Sequence, residues 1–258
     1  MKENSLASDH RRKPLAVAVR TWGSRFKRNE CGRVKSSEQK QQRVRNAILI
    51  TIAFGAAAVD AWSFYAFGEV FTGIMTGNIV LVGANLVQGD VAHVTRSLVA
   101  FAFYAAGCAL GAAICGNKPD GAIWTARVTR CLLLEFACLC LLGIVWQFIR
   151  GARSERELYV AIALGGFSMG LQTLATLTVG VRDVMTTYVT GMTTAFVRRL
   201  VFQSPLSQMW LSPAVILAVI CGAACSAFLL ARAAPYVPLV PIAACAIAVA
   251  AATIWLHD

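Results

Sequence analysis

The sequence predicts an all-α integral membrane protein, on three observations. Of its 258 residues, 57% are hydrophobic and only 14% charged, whereas about a quarter of residues are charged in a soluble domain. Six segments reach spanning length without help. Two further apolar stretches, rich in Thr and Gly, share a motif.

The charge is unevenly placed. Residues 1–46 hold 13 Lys/Arg against four Asp/Glu, and the remaining 212 hold 11 against nine. This divides the chain into a basic arm, 1–46, and a nearly neutral membrane domain, 47–256. The arm's cations are interrupted by polar residues and form no helix-turn-helix or zinc pattern, which argues against nucleic acid as a partner. Such an arm is expected to be disordered, to touch anionic headgroups and to hold the N-terminus in the cytoplasm. Its one apolar run, "LAVAV" at 15–19, is too short for the core of a signal peptide.

A bilayer core needs about 20 apolar residues per helix. Segments 47–67, 97–115, 131–149, 158–179, 211–231 and 237–256 meet that test. Their connections are short and carry turn formers or charges, as in "GNKPDG" at 116–121 and "RGARSERE" at 150–157. None leaves room for a soluble domain.

Stretches 70–87 and 184–197 are apolar but broken by Thr and Gly. "VFTGIMTG" at 70–77 and "VMTTYVTG" at 184–191 share V-x-T-x-x-x-T-G at an offset of 114 residues. Each follows a helix with a small, polar-containing centre and precedes one with paired small residues, Gly107/Gly111 and Gly222/Ser226. The pattern predicts an internal duplication, with halves at about 47–149 and 158–256. If both stretches cross the bilayer the chain has eight crossings and parallel halves. If both enter and return, it has six crossings and inverted halves. Either way the body's basic residues divide six inside to five outside, so charge does not choose.

Each Thr-Gly stretch reads as an extended start followed by a helix, with Thr76 and Thr190 as N-caps. Non-helical backbone at membrane depth persists only where protein or a watery cavity satisfies it. A helix start there offers free N–H groups and partial positive charge. Two such starts facing each other would suit a small polar or anionic solute, held by Thr72, Thr76, Gly77 and Asn78 from one copy. Thr186, Thr190 and Gly191 would serve from the other, with Thr193 adding a hydroxyl. The competing reading is packing alone: Gly73/Gly77 is a GxxxG pair, and a helical Thr can bond its own i−4 carbonyl.

Asp60 is the sharpest single residue, an ionisable group in the first span with no cation within a helical turn. Placing it there costs about 3 kcal/mol on insertion scales and marks a functional candidate, suited to proton coupling. Gln172 holds a comparable place in the second half. Glu135 is expected to pair with Arg127 or Arg130 at the interface, and His93 to sit in a loop. With three histidines, and nine cysteines lacking zinc-type spacing, neither a metal nor any other cofactor is expected. No nucleophile–base pair or phosphate loop argues for an enzyme.

"FGAAAVDAWSFYAFGEVFTGIMTGNIVLVG" at 54–83 and "MGLQTLATLTVGVRDVMTTYVTG" at 169–191 resemble the signature blocks of the YoaK-like family, uncharacterised bacterial polytopic membrane proteins. This copy has Gln-Thr at 172–173 where many members have Gln-Asn, and it departs at "LATLTVGVR". The resemblance covers about residues 47–256 and excludes the arm. It implies a multi-pass bacterial inner-membrane protein and supplies no substrate. The reading carried forward is a small-solute permease, compatible with a homo-oligomer. A non-transporting scaffold or partner subunit is the rival.

Overall fold

The computed structural model describes residues 14–116, 122–150, 154–180, 189–202 and 210–256. Among them the chain is helical. The helices are α1 (Pro14–Ala66), α2 (Met75–Gln88), α3 (Val91–Cys115), α4 (Ala126–Ile149), α5 (Glu155–Val179), α6 (Val189–Val201), α7 (Leu211–Ala233) and α8 (Leu239–Trp255). Five are long and apolar enough to cross a membrane: the Ser37–Ala66 part of α1, then α3, α4, α5 and α7 with its short extension to Tyr236. α8 is apolar but shorter.

α1 begins at Pro14, within the stretch that composition sets apart as the basic arm. The compact membrane unit begins at Val44, three residues before the boundary drawn from composition. It is described here by itself.

Its core has two main layers. The first joins Ile48 and Ile52 of α1, Cys115 at the end of α3, Val128 and Leu132 near the start of α4, Val179 ending α5, and Ala252 of α8. The second joins the opposite ends: Trp62 and Ala66, Ala100, Trp146 and Ile149, Ala161, and Val237, with Leu229 and Leu230 of α7 against them. α1, α4 and α7 therefore run one way and α3, α5 and α8 the other. Leu49 and Ala53 packing on Leu211 and Val215 fix the start of α7 at the first layer.

α2 and α6 do not follow this alternation. α3 starts at the second-layer end, where His93 Nε2 stands 3.6 Å from Glu69 Oε2 just past α1. The chain between, with α2, leaves and returns at one end. Likewise α5 ends, and α7 begins, at the first-layer end, with α6 between them. Met192 of α6 packs on Leu49, Ala53 and Leu211 at that end.

Glycine permits close helix crossings. A Cβ on Gly107 of α3 would overlap the Phe167 carbonyl of α5, and one on Gly222 of α7 would overlap the Phe54 carbonyl of α1. Such backbone approach gives van der Waals contact where lipid offers no hydrophobic drive for association.

Candidate functional site

The first Thr-Gly stretch opens with non-helical backbone, residues 70–74, held beside α1. Gly68 (φ +84°) and Glu69 (φ +60°) turn the chain after α1 in left-handed geometry. It then runs back along the helix it has just left. Ser63 Oγ donates to the Val70 carbonyl at 2.7 Å. Asp60 Oδ1 accepts from Thr72 N at 2.9 Å, Thr72 Oγ1 at 3.2 Å and Gly73 N at 2.6 Å.

From the other side Asn78 acts as a surrogate strand. Its Oδ1 accepts from Phe71 N at 3.0 Å and its Nδ2 donates to Phe71 O at 2.6 Å. Side chains of α1 and α2 thus satisfy the backbone polar groups that a bilayer cannot. Thr72 is fully buried, and its methyl leaves no room for a Cβ at Gly165 of α5. At Gly73 a Cβ would stand 2.9 Å from Asp60 Oδ2, so the latch requires a residue without a side chain there.

This geometry revises several roles read from the sequence. α2 begins at Met75 with Ile74 preceding it and no side-chain cap, so Thr76 lies inside the helix and is not its N-cap. Thr190 lies likewise inside α6, which begins at Val189, and Gly191 follows it. Thr193 Oγ1 donates to the Val189 carbonyl at 2.8 Å, the back-bonding expected of a helical threonine. Gly73 and Gly77 are not one helix face: Gly73 lies in a bend before α2, and Gly77 gives space to the Phe71 ring. Asn78 spends both ends of its amide on Phe71. Thr186 falls outside the described residues.

The start of α2 and the first described turn of α6 meet at a cavity of about 650 Å³. Of the residues expected there, Thr76 and Thr190 line it. Asp60, Thr72, Asn78 and Gln172 do not. Gln172 donates from Nε2 to the Ile52 carbonyl of α1 at 3.0 Å. The sequence reading missed three hydroxyls of the wall, Tyr104 of α3 and Thr173 and Thr176 of α5. Thr173 and Thr176 donate to the carbonyls of Met169 at 2.8 Å and Gln172 at 3.0 Å. Their i, i+3 spacing, with Thr173 next to Gln172 and Thr176 one turn on, was the available signal.

A second cavity of about 410 Å³ lies between α1 and α7. Asp60, Phe64 and Tyr65 of α1, Phe71, and Val219 and Ala223 of α7 line it. Ile74 and Val189 border both cavities.

Two ionisable residues stand elsewhere than expected. Glu135 is buried within α4, with Oε2 lacking a hydrogen-bond partner, while Arg127 and Arg130 are exposed. It makes no interface ion pair with them among the described residues. His93 is in the first turn of α3, not a loop, and Asp90 caps that helix. Asp90 accepts from His93 N at 3.0 Å and its other oxygen lies 2.9 Å from His93 Nδ1.

Residues 48–252, nearly the whole membrane unit, match the family described as protein of unknown function DUF1275. The chain belongs to that family. It is similar to the UPF0700 transmembrane protein YoaK of Bacillus subtilis (strain 168), at 31% identity over 147 residues. That stretch covers 57% of this chain and 63% of the relative. No solved structure matches. The matched DUF1275 region contains both cavities and the latch, and it excludes the N-terminal arm.

Proposed function

We propose that this DUF1275 chain is a permease, not an enzyme, for a small polar or anionic solute, working in a bacterial inner membrane with its N-terminus cytoplasmic. The observation that carries the reading is the cavity where α2 and α6 begin. It brings five hydroxyl groups, from Thr76, Tyr104, Thr173, Thr176 and Thr190, around the start of α2 and the first described turn of α6. The start of α2 presents N–H groups and partial positive charge, with no side-chain cap competing for them.

The architecture supports the same reading. If α8 spans with the five longer helices, there are six crossings and two segments that enter and return. The halves are then inverted copies: α1, α3 and α4 run opposite to α5, α7 and α8. The glycine crossings agree, because Gly107 meets Phe167 as Gly222 meets Phe54, pairs 115 and 113 residues apart in the chain. Inverted repeats with broken helices meeting near the midplane are a common transporter plan. In this plan Asp60 is a positioning residue: it fixes the tip of the first segment and leaves solute contact to the hydroxyls.

Thermal stabilisation of the purified chain across a library of small anions and neutral metabolites tests the proposal. A stabilising solute whose effect falls about tenfold in Thr173→Val supports the site. A library without a stabilising solute, together with a co-purifying partner, would instead favour the scaffold. The latch favours that reading too, since Asp60, Ser63 and Asn78 are all engaged in holding the hairpin.

A further inference from the structure

We propose that the cavity between α1 and α7 binds an apolar organic cation bearing one positive charge, with Asp60 as its counter-ion. This site goes beyond the solute site above: it is a different cavity with different chemistry.

The volume, about 410 Å³, is that of a small-molecule pocket. Its existence follows from composition. α7 offers Ala223, Ala224 and Ala227 to the wall, where larger side chains would close it. Phe64 and Phe71 stack at 4.9 Å between ring centroids and 23° between planes, and both line the space with Tyr65. Among the described residues the only ionisable group of this wall besides the Tyr65 phenol is Asp60.

The two oxygens of Asp60 have divided roles. Oδ1 takes all three donors, from Thr72 and Gly73. Oδ2 has no hydrogen-bond partner among the described residues. A carboxylate has about four acceptor positions, so Asp60 keeps acceptor capacity at a wall whose other side chains, the Tyr65 phenol apart, are apolar. An anionic oxygen at membrane depth calls for a positive partner.

The chemistry of that partner follows from the rest of the wall. A bare metal ion needs several oxygen ligands, and the wall supplies one free carboxylate oxygen. A neutral polar molecule finds few partners, and an anion meets the Asp60 charge. A cation whose charge sits among CH groups suits aromatic faces, which attract ammonium groups over the ring. Its apolar body fills the space against Val219 and Ala223. The glycine crossings place Thr173 at the position in α5 that Asp60 holds in α1, so the two cavities differ where their halves correspond.

Benzyltrimethylammonium is the probe, titrated calorimetrically into the purified full-length chain, with benzyl alcohol and phenylacetate as neutral and anionic probes of similar body. The expected result is binding of the cation at least tenfold tighter than either. Ala223→Phe, which fills the cavity from α7 without touching the latch, abolishes it, and Asp60→Asn weakens it about tenfold or more. Thr173→Val, in the other cavity, leaves it unchanged, so loss of the solute site and loss of this one are separable. Equal binding of benzyl alcohol, retention in Ala223→Phe, or no binding of the cation overturns the proposal. The three-probe comparison on the unaltered chain stands even if Asp60→Asn or Ala223→Phe fails to fold.

Discussion

The amide nitrogen of Gly73 stands 2.6 Å from Oδ1 of Asp60, across a turn that reverses the chain within the membrane unit. That contact, with the two from Thr72, decides where the first Thr-Gly stretch lies. Removing the acceptor would leave two buried backbone donors without partners, and an unsatisfied buried donor costs about 1–3 kcal/mol. Asp60→Ala is therefore expected to destabilise the protein by about 2–4 kcal/mol. Asp60→Asn keeps an acceptor oxygen and is expected to lose less than half of that. Thermal unfolding in detergent measures both. Equal losses would mean that charge, not acceptance, holds the loop.

Asn78 offers a cleaner test, because its side chain contacts the same peptide group twice. Asn78→Leu keeps the volume and strands both Phe71 N and Phe71 O, at an expected cost of about 2–4 kcal/mol. Asn78→Asp keeps the acceptor but sets a carboxylate against the Phe71 carbonyl. It should be destabilising at neutral pH and partly recovered in acid, where the carboxyl can donate. A pH series of unfolding temperatures checks this, and a flat difference between Asp and Leu would count against the surrogate-strand role.

Outside the bilayer, the Asp90 carboxyl is held below the usual carboxylate range, first by the His93 amide N–H and then by the His93 ring. A depressed native value contributes stability above the unfolded carboxylate pKa and loses it as pH falls through the native one. The unfolding-temperature gap between the native sequence and Asp90→Ala should therefore be full near neutrality and shrink below about pH 4. A gap that grew on acidification would reverse the sign and contradict the cap.

The helices were legible because a bilayer imposes apolar run lengths that are local in sequence. Segment 131–149 falls within α4 (Ala126–Ile149), and 158–179 within α5 (Glu155–Val179). The two Thr-Gly stretches also stood out, because Thr and Gly break an apolar run. Their hydrogen bonds did not. Asp60 was read for its charge, yet its three donors lie 12 and 13 residues away across a turn. Asn78 was read as facing a solute, but amide side chains bond backbone as readily as ligand. Thr173 and Thr176 were passed over because "LQTLATLT" looks like ordinary membrane helix, and only the tertiary fold sets those hydroxyls beside the start of α2. Glu135 follows the same rule in reverse: nearby arginines in sequence suggested an ion pair, while helix rotation turned the carboxyl inward.

The matched glycine crossings make a paired prediction. Gly107→Ala and Gly222→Ala each place a methyl against a carbonyl, of Phe167 and Phe54 respectively. Overpacking of this kind costs about 1–3 kcal/mol. If the halves are inverted copies, both substitutions should destabilise by similar amounts, whereas Gly83→Ala, with nothing within 4 Å of the added carbon, should be neutral or slightly stabilising. A large loss at one crossing and none at the other, read by unfolding temperature, would mean the likeness does not extend to packing.

The last prediction concerns sidedness, where charge counting is silent. In a cysteine-free background, Glu69→Cys and Gln88→Cys flank the first broken segment, on either side of the dip that carries Asp60's donors. An impermeant thiol reagent should reach both from one face of the membrane, together with Arg156→Cys at the start of α5. Arg127→Cys at the start of α4 and Arg198→Cys near the end of α6 should react from the opposite face. The logic is geometric: α3 starts where α1 ends, fixed by His93 against Glu69 at 3.6 Å, and Arg96 holds Glu155 at 3.1 Å on the same side. Labelling of residues 69 and 88 from opposite faces would make α2 a full crossing and the halves parallel. That outcome would also contradict the layer packing, which sets the start of α3 at the end where α1 finishes.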